Sequence, residues 1–171
     1  NNNNSNVEQA ILAIAQVLQE SPISIQTNPY QFSAYLSGSQ STSAGAYANI
    51  LFDTELYDLN GNFDAVTNKG RYTAPVTGYY LFNAAVNLTA SGTTQVAMKL
   101  KKNGATDIGV LAGSISTTAA SSGIGSEFGG TKLVYLTAGD YVYCQVYCNG
   151  TITIATGSNP GYFEGFLISK G

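Results

Sequence analysis

Residues 52–82 read FDTELYDLNGNFDAVTNKGRYTAPVTGYYLF. Two aromatic-rich runs flank Asn60-Gly61 and Asn68-Lys69-Gly70, and a third run, Gly78-Tyr79-Tyr80-Leu81-Phe82, follows Thr77. Asn-Gly between alternating apolar residues signals a hairpin, because its tight turn needs φ > 0 at both central residues. Pro75 stands just before the third run, where a missing N–H is tolerated. The stretch predicts antiparallel sheet built hairpin by hairpin, with aromatics at alternate positions.

The pattern continues outward. Tyr80, Phe82, Ala84 and Val86 alternate with Tyr79, Leu81, Asn83 and Ala85. Neither set is polar throughout, so this strand is expected to be covered on both sides, its outer face by another subunit. Val96, Met98 and Leu100 alternate with Gln95, Lys99 and Lys101, and Asn103-Gly104 marks another hairpin. The small-residue segment Gly113 to Gly130 reads as a weak strand followed by a loop. Lys132 to Tyr147 is a second strong block, with a turn at Ala138-Gly139-Asp140. Asn149-Gly150 reads as a third Asn-Gly hairpin. Ser91-Gly92 and Asn159-Pro160-Gly161 are further turns, Ser37 to Gly45 is a loop, and Tyr162 to Ser169 is the last strand. Turn signals at such close spacing, with no second helix, indicate an all-β sandwich.

The N-terminal piece differs. After the polar lead Asn1 to Asn4, Ser5 or Asn6 can cap a helix beginning near Val7. Val7, Ile11, Ile14 and Leu18 form an apolar stripe, widened by Ala10 and Val17, over a helix of about 14 residues. Ser21-Pro22 ends it. So short a helix is marginal alone in water, so its stripe needs a cover. Two covers are open: its own domain, or two further copies in the last turns of a stalk. The polar face has no Lys or Arg, which argues against a membrane-surface helix. Residues 1–25 are thus expected to be a helix and linker at the end of a stalk, and residues 30–171 a head. The chain starts at Asn1 without Met and reads as the end of a longer or processed product.

Composition removes whole classes of function. The chain has 171 residues and a net charge of −3, with seven Lys and Arg in all, too few for clustered phosphate contacts with nucleic acid. No apolar run reaches the roughly 20 residues needed to span a bilayer. There is no His, which removes the commonest general base and metal ligand together. Gly123-x-Gly125-x-x-x-Gly129 lacks the dinucleotide-binding spacing. The acids are scattered, with no pair placed across a cleft as glycoside cleavage requires. No enzymatic activity is expected. Cys144 and Cys148 lie four residues apart, about 13 Å along a regular strand, too far for a disulfide. They read as small core residues. Asn87-Leu88-Thr89 and Asn149-Gly150-Thr151 match the N-glycosylation pattern, which an Asn- and Thr-rich chain produces by chance.

Four blocks carry a family resemblance. Phe52, Asp58 and Phe63, then Tyr72, Gly78, Tyr80 and Phe82, follow the signature spacing of the globular head of complement component 1q, a relative of the tumour necrosis factor superfamily. Leu133 to Val146 (LVYLTAGDYVYCQV), Phe163-Glu164-Gly165-Phe166-Leu167 and Phe32-Ser33-Ala34 resemble three further strands of that family. The resemblance covers about Gln31 to Lys170. There are departures: the gap from Phe63 to Tyr72 is two residues longer, Tyr72 replaces a Phe, and Ala84 stands where an aromatic is usual. The local core at Ala84 must then be filled from elsewhere. The resemblance implies a jelly-roll β-sandwich of about ten antiparallel strands, a homotrimer, and partners bound through outer and apical loops. Some relatives bind calcium near the trimer apex. Asp58-x-Asn60-Gly61-x-x-Asp64 lacks the ligand series of a helical calcium loop, so calcium rests on the resemblance alone and no cofactor is expected.

The residues supply their own argument for a trimer. Between Tyr141 and Cys148, Val142, Cys144, Val146 and Cys148 form one apolar face, and Tyr141, Tyr143, Gln145 and Tyr147 the other. Tyr buries much area while its hydroxyl keeps a hydrogen bond, which suits an interface. Ile11, Ile14, Leu18, Tyr79, Leu81, Tyr143, Gln145 and Tyr147 are the expected trimer contacts. The chain thus reads as a trimeric recognition head at a fibre tip, on a virion or bacterial surface, binding a surface protein or glycan. A structural cap for the fibre, and a cytokine-like receptor ligand, are the alternatives.

Overall fold

A computed structural model of the chain describes residues 2–20, 28–90, 94–117, 126–156 and 161–171. One helix, α1 (Asn2–Glu20), precedes thirteen strands: β1 (Gln31–Tyr35), β2 (Gln40–Thr42), β3 (Tyr47–Asn49), β4 (Thr54–Asp58), β5 (Phe63–Asp64), β6 (Arg71–Thr73), β7 (Gly78–Ala90), β8 (Thr94–Lys102), β9 (Thr106–Thr117), β10 (Ser126–Leu136), β11 (Tyr141–Cys148), β12 (Ile152–Ala155) and β13 (Tyr162–Lys170). The helix begins earlier than the apolar stripe predicts, so Ser5 and Asn6 lie within it and do not cap it. Once nucleated, a helix extends at the gain of one hydrogen bond per residue. The helix end predicted at Ser21-Pro22 and the turns at Ser91-Gly92 and Asn159-Pro160 lie outside the described residues.

Two antiparallel sheets face each other. In the first, the order is β2-β12-β7-β13-β1-β4, with β10 on the free edge of β7. β13 pairs with the first part of β7 and β12 with its last residues. In the second, the order is β5-β6-β11-β8-β9, and β3 also pairs with β11. This is the expected jelly-roll sandwich, with several strands only two or three residues long added at the margins.

The core follows strand alternation. Val142, Cys144, Val146 and Cys148 of β11 are fully buried, and both cysteines are free. Opposite them, β7 buries Tyr80, Phe82, Ala84, Val86 and Leu88. Large and small side chains alternate between rows. Ala34, Phe163 and Ala84 form one row across three strands, and Phe32, Gly165 and Phe82 form the next. A Cβ on Gly165 would lie 2.5 Å from the Phe82 ring, so only glycine fits between the two aromatics. The ladder partner of Ala84, the position that lacks the usual aromatic, is Phe163. That ring lies 5.0 Å from Phe32 and 5.8 Å from Phe82.

The Asn-Gly turns behave differently from one another. Asn103-Gly104 closes a true hairpin between β8 and β9, with φ of 51° and 73°. Asn60-Gly61 and Asn149-Gly150 do not. Each carries the chain from one sheet to the other: β4 pairs with β1 while β5 pairs with β6, and β11 and β12 lie in different sheets. Asp58 holds the first crossing by accepting a hydrogen bond from the Phe63 N–H at 2.7 Å. Asn149 holds the second by accepting from the Gln95 N–H at 2.7 Å.

Candidate functional site

The sandwich presents two outer faces of opposite character. On the β7 sheet, residues paired across the ladder point the same way. Tyr79 and Leu81 therefore share the outer face with Tyr135 and Leu133 of β10 and with Phe166 of β13. Leu133 and Ile168 are each 53% exposed, and Tyr79, Tyr135 and Phe166 are exposed as well. Tyr79 and Tyr135 meet edge to face at 5.1 Å. This apolar band lies at the end of the sheet where the chain enters, since Gln31 pairs with Phe166. Further along, the face turns polar. Asn83 donates to Tyr162 at 3.3 Å and to Glu164 at 3.1 Å, and Thr131 donates to Asn83 at 3.2 Å.

The outer face of the β11 sheet is charged. Lys99 and Lys101 both pair with Asp107, at 2.9 and 3.2 Å. Their ammonium groups hold the Asp107 carboxyl below its ordinary range. The Lys99 ammonium also sits 3.5 Å from the centroid of the Tyr47 ring, and Tyr47 meets Tyr147 at 5.3 Å. Beside them lies a groove of about 550 Å³ with Arg71, Tyr141 and Tyr143 in its lining. The pairing of β6 with β11 sets Thr73 against Tyr141 and so brings Arg71 to the tyrosines. The Arg71 guanidinium lies 4.9 Å from the centroid of the Tyr141 ring. The rings of Tyr141 and Tyr143 are within 17° of parallel, 6.3 Å apart.

One wall of the groove is the turn at Val66, Thr67 and Asn68. Asp64 organises it. Its carboxylate accepts from the Asn68 side chain at 2.8 Å and from the N–H groups of Val66, Thr67 and Asn68 at 3.0, 2.7 and 2.9 Å. These bonds, the Asn68 amide first, pull its pKa down to about 2. At the opposite turn Asp140 is likewise lowered to about 2, chiefly by Lys102 and then by Asn103 and the Thr137 N–H.

The expected contact residues fall into three places. Ile11 and Ile14 are exposed on α1, and the Leu18 side chain lies outside the described residues. Tyr79 and Leu81 lie on the outer face of the β7 sheet. Tyr143, Gln145 and Tyr147 lie half-buried on the outer face of the other sheet. An axis that runs along one face leaves the other on the far side of the sandwich. The sequence reading missed Leu133, Tyr135, Phe166 and Ile168, although in LVYL and FEGFLI both phases of the alternation are apolar. It also missed Arg71.

The Asp58 and Asp64 carboxylates are engaged by turn N–H groups, and among the described residues no group of three or more His, Cys, Asp or Glu could hold a metal ion. No helix among the described residues is long and apolar enough to cross a membrane.

Solved structures share this architecture. The globular domain of zebrafish complement 1qA is 18% identical with a TM-score of 0.56, covering 83% of this chain and 99% of its own. Eiger TNF from S. frugiperda is 16% identical with a TM-score of 0.53, covering 83% and 92%. Murine APRIL is 12% identical with a TM-score of 0.53, covering 81% and 98%. No curated protein matches the sequence significantly. The fold is thus the jelly roll shared by complement 1q and tumour necrosis factor heads. The C1q domain family profile matches residues 31–168, and the chain belongs to that family. Domains of this family are generally recognition domains and not enzymes.

Proposed function

We propose that the chain is a non-enzymatic, homotrimeric recognition head whose β7 sheet packs along the three-fold axis and whose β11 sheet faces outward. One observation carries this reading: the apolar band of Tyr79, Leu81, Leu133, Tyr135, Phe166 and Ile168. Contiguous apolar surface of this kind marks an interaction site. Homologues of this family are homotrimers that bind receptors, which supports the same assembly. In a cyclic trimer each interface joins different patches of two neighbours, so the band packs against the next copy's flank. Tyr79 and Leu81 are then axial contacts, while Tyr143, Gln145 and Tyr147 belong to the outer surface. Ile11 and Ile14, with Leu18 from the sequence pattern, form the seam of a short three-helix stalk over residues 1–25. The head, residues 30–171, sits at the tip of a fibre on a virion or bacterial surface and binds an extracellular protein or glycan. The low charge and the Asn-, Ser- and Thr-rich composition support that setting.

Sedimentation velocity tests the assembly. The expected mass is about three times the 17.9 kDa of one chain. A monomer at micromolar concentration overturns the reading. A stable trimer that binds no cell surface or extracellular target supports the fibre-cap alternative instead.

A further inference from the structure

The groove on the β11 sheet holds a guanidinium that makes no ion pair among the described residues, although Asp64, the ladder partner of Arg71, is turned to the N–H groups of its own turn. Among the described residues Arg71 forms no ion pair, and its Nε is buried without a hydrogen-bond partner. Leaving such a donor unpaired is costly. The other cation of the groove, Lys69, is paired with Asp53 at 3.6 Å. A guanidinium without an ion pair suits a single carboxylate, which its two terminal amino groups can grip through parallel N–H bonds, the Nε itself being enclosed by protein. A doubly charged phosphate would call for a second free cation.

The rest of the lining is suited to a sugar ring. The near-parallel rings of Tyr141 and Tyr143 put aromatic surface and two hydroxyls into the lining. Asn68 spends its amide nitrogen on Asp64 and keeps its oxygen as an acceptor. Asn49 accepts from Gln145 at 2.9 Å and keeps its amide hydrogens as donors. Thr67 adds a hydroxyl. The Asp64 hydrogen bonds fix this wall before any ligand arrives, which lowers the ordering cost of binding. The volume of about 550 Å³ falls within the range of small-ligand sites.

We infer that this groove binds a carboxylate-bearing sugar residue of a surface glycan. The carboxylate docks on Arg71, the ring lies against Tyr141 and Tyr143, and the hydroxyls meet Asn49, Thr67 and Asn68. The inference rests on the reading of the chain as a recognition head and names its ligand class.

The test uses the full chain on an array of uronic acid- and sialic acid-terminated oligosaccharides, each beside its carboxyl-reduced form, with an acidic peptide as a further probe. At least one acidic oligosaccharide should bind, with about a tenfold or greater preference over its reduced form. Arg71→Gln should abolish that preference, Arg71→Lys should weaken it, and Tyr143→Ala should lower binding of both forms. Thermal melts should show each variant folded. No binding to the array, equal binding to both forms, unchanged binding by Arg71→Gln, or binding of the acidic peptide alone overturns the inference. Sedimentation of the same samples separates the two readings. A trimer without acidic-sugar binding sinks only the groove, and a monomer that binds acidic sugar sinks only the assembly, because the groove lies within one chain.

Discussion

Phe163 stands opposite Ala84 in the ladder between β13 and β7, both are fully buried, and the Phe163 ring packs against Phe32 and Phe82. Tight cores resist both deletion and addition of volume. Phe163→Ala should cost about 3–5 kcal/mol of stability. Ala84→Phe should destabilise by about 1–3 kcal/mol or more through overpacking. Urea unfolding of the two variants checks this, and a loss below about 1 kcal/mol for Phe163→Ala would show that the ring is not a keystone of the core.

Leu81→Asp should dissociate the proposed trimer near neutral pH. It puts a carboxylate in the middle of the apolar band, where it would lose hydration against a neighbouring copy. Tyr143→Asp should leave the proposed trimer intact, because that side chain lies on the opposite sheet. Sedimentation of both variants reads the outcome directly. The reverse pattern would move the axis to the β11 sheet.

Acid should loosen the turns before the core. Asp64 and Asp140 have pKa values of about 2 in the folded chain against 3.8 for an ordinary aspartate. A depressed carboxyl stabilises the folded state above its unfolded pKa, and that contribution fades as pH falls from about 4 through 2. Asp64→Asn and Asp140→Asn should each lower the melting temperature at pH 7. The gap to the parent should shrink toward pH 2. A gap that stays constant over this window would show that the carboxylate charge is not what the turns rely on.

Cys144 and Cys148 should react slowly with thiol reagents until the chain unfolds. Both are fully buried, and burial pushes the Cys144 thiol well above its ordinary pKa, which keeps it protonated. Ellman's reagent, followed with and without denaturant, provides the measurement. Rapid labelling of either cysteine in the native chain would contradict the inward face of β11.

The core was legible because strand alternation is local. Val142, Cys144, Val146 and Cys148 could be assigned to one face from their spacing alone. Pairing was less legible. An Asn-Gly dipeptide fixes the backbone at the turn and not the partner of the strand that follows, so Asn103-Gly104 and Asn60-Gly61 look alike in sequence yet only the first makes a hairpin. The outer faces were half legible. Period two groups Tyr79 with Leu81 and Tyr143 with Tyr147, but it does not say that the groups lie on opposite sheets. Arg71 and Tyr141 are 70 positions apart and meet only through the β6–β11 ladder. No local pattern signals that meeting.

Asn28 and Gly171 lie at one pole of the head. Asn28 donates to the Leu167 carbonyl at 2.6 Å, and the Gly171 N–H donates to the Thr77 carbonyl at 3.1 Å. A fluorophore or a second module fused after Gly171 would therefore emerge beside the incoming chain and leave the distal turns uncovered. A module joined there keeps the far side of the head facing outward, which makes the head a convenient display scaffold.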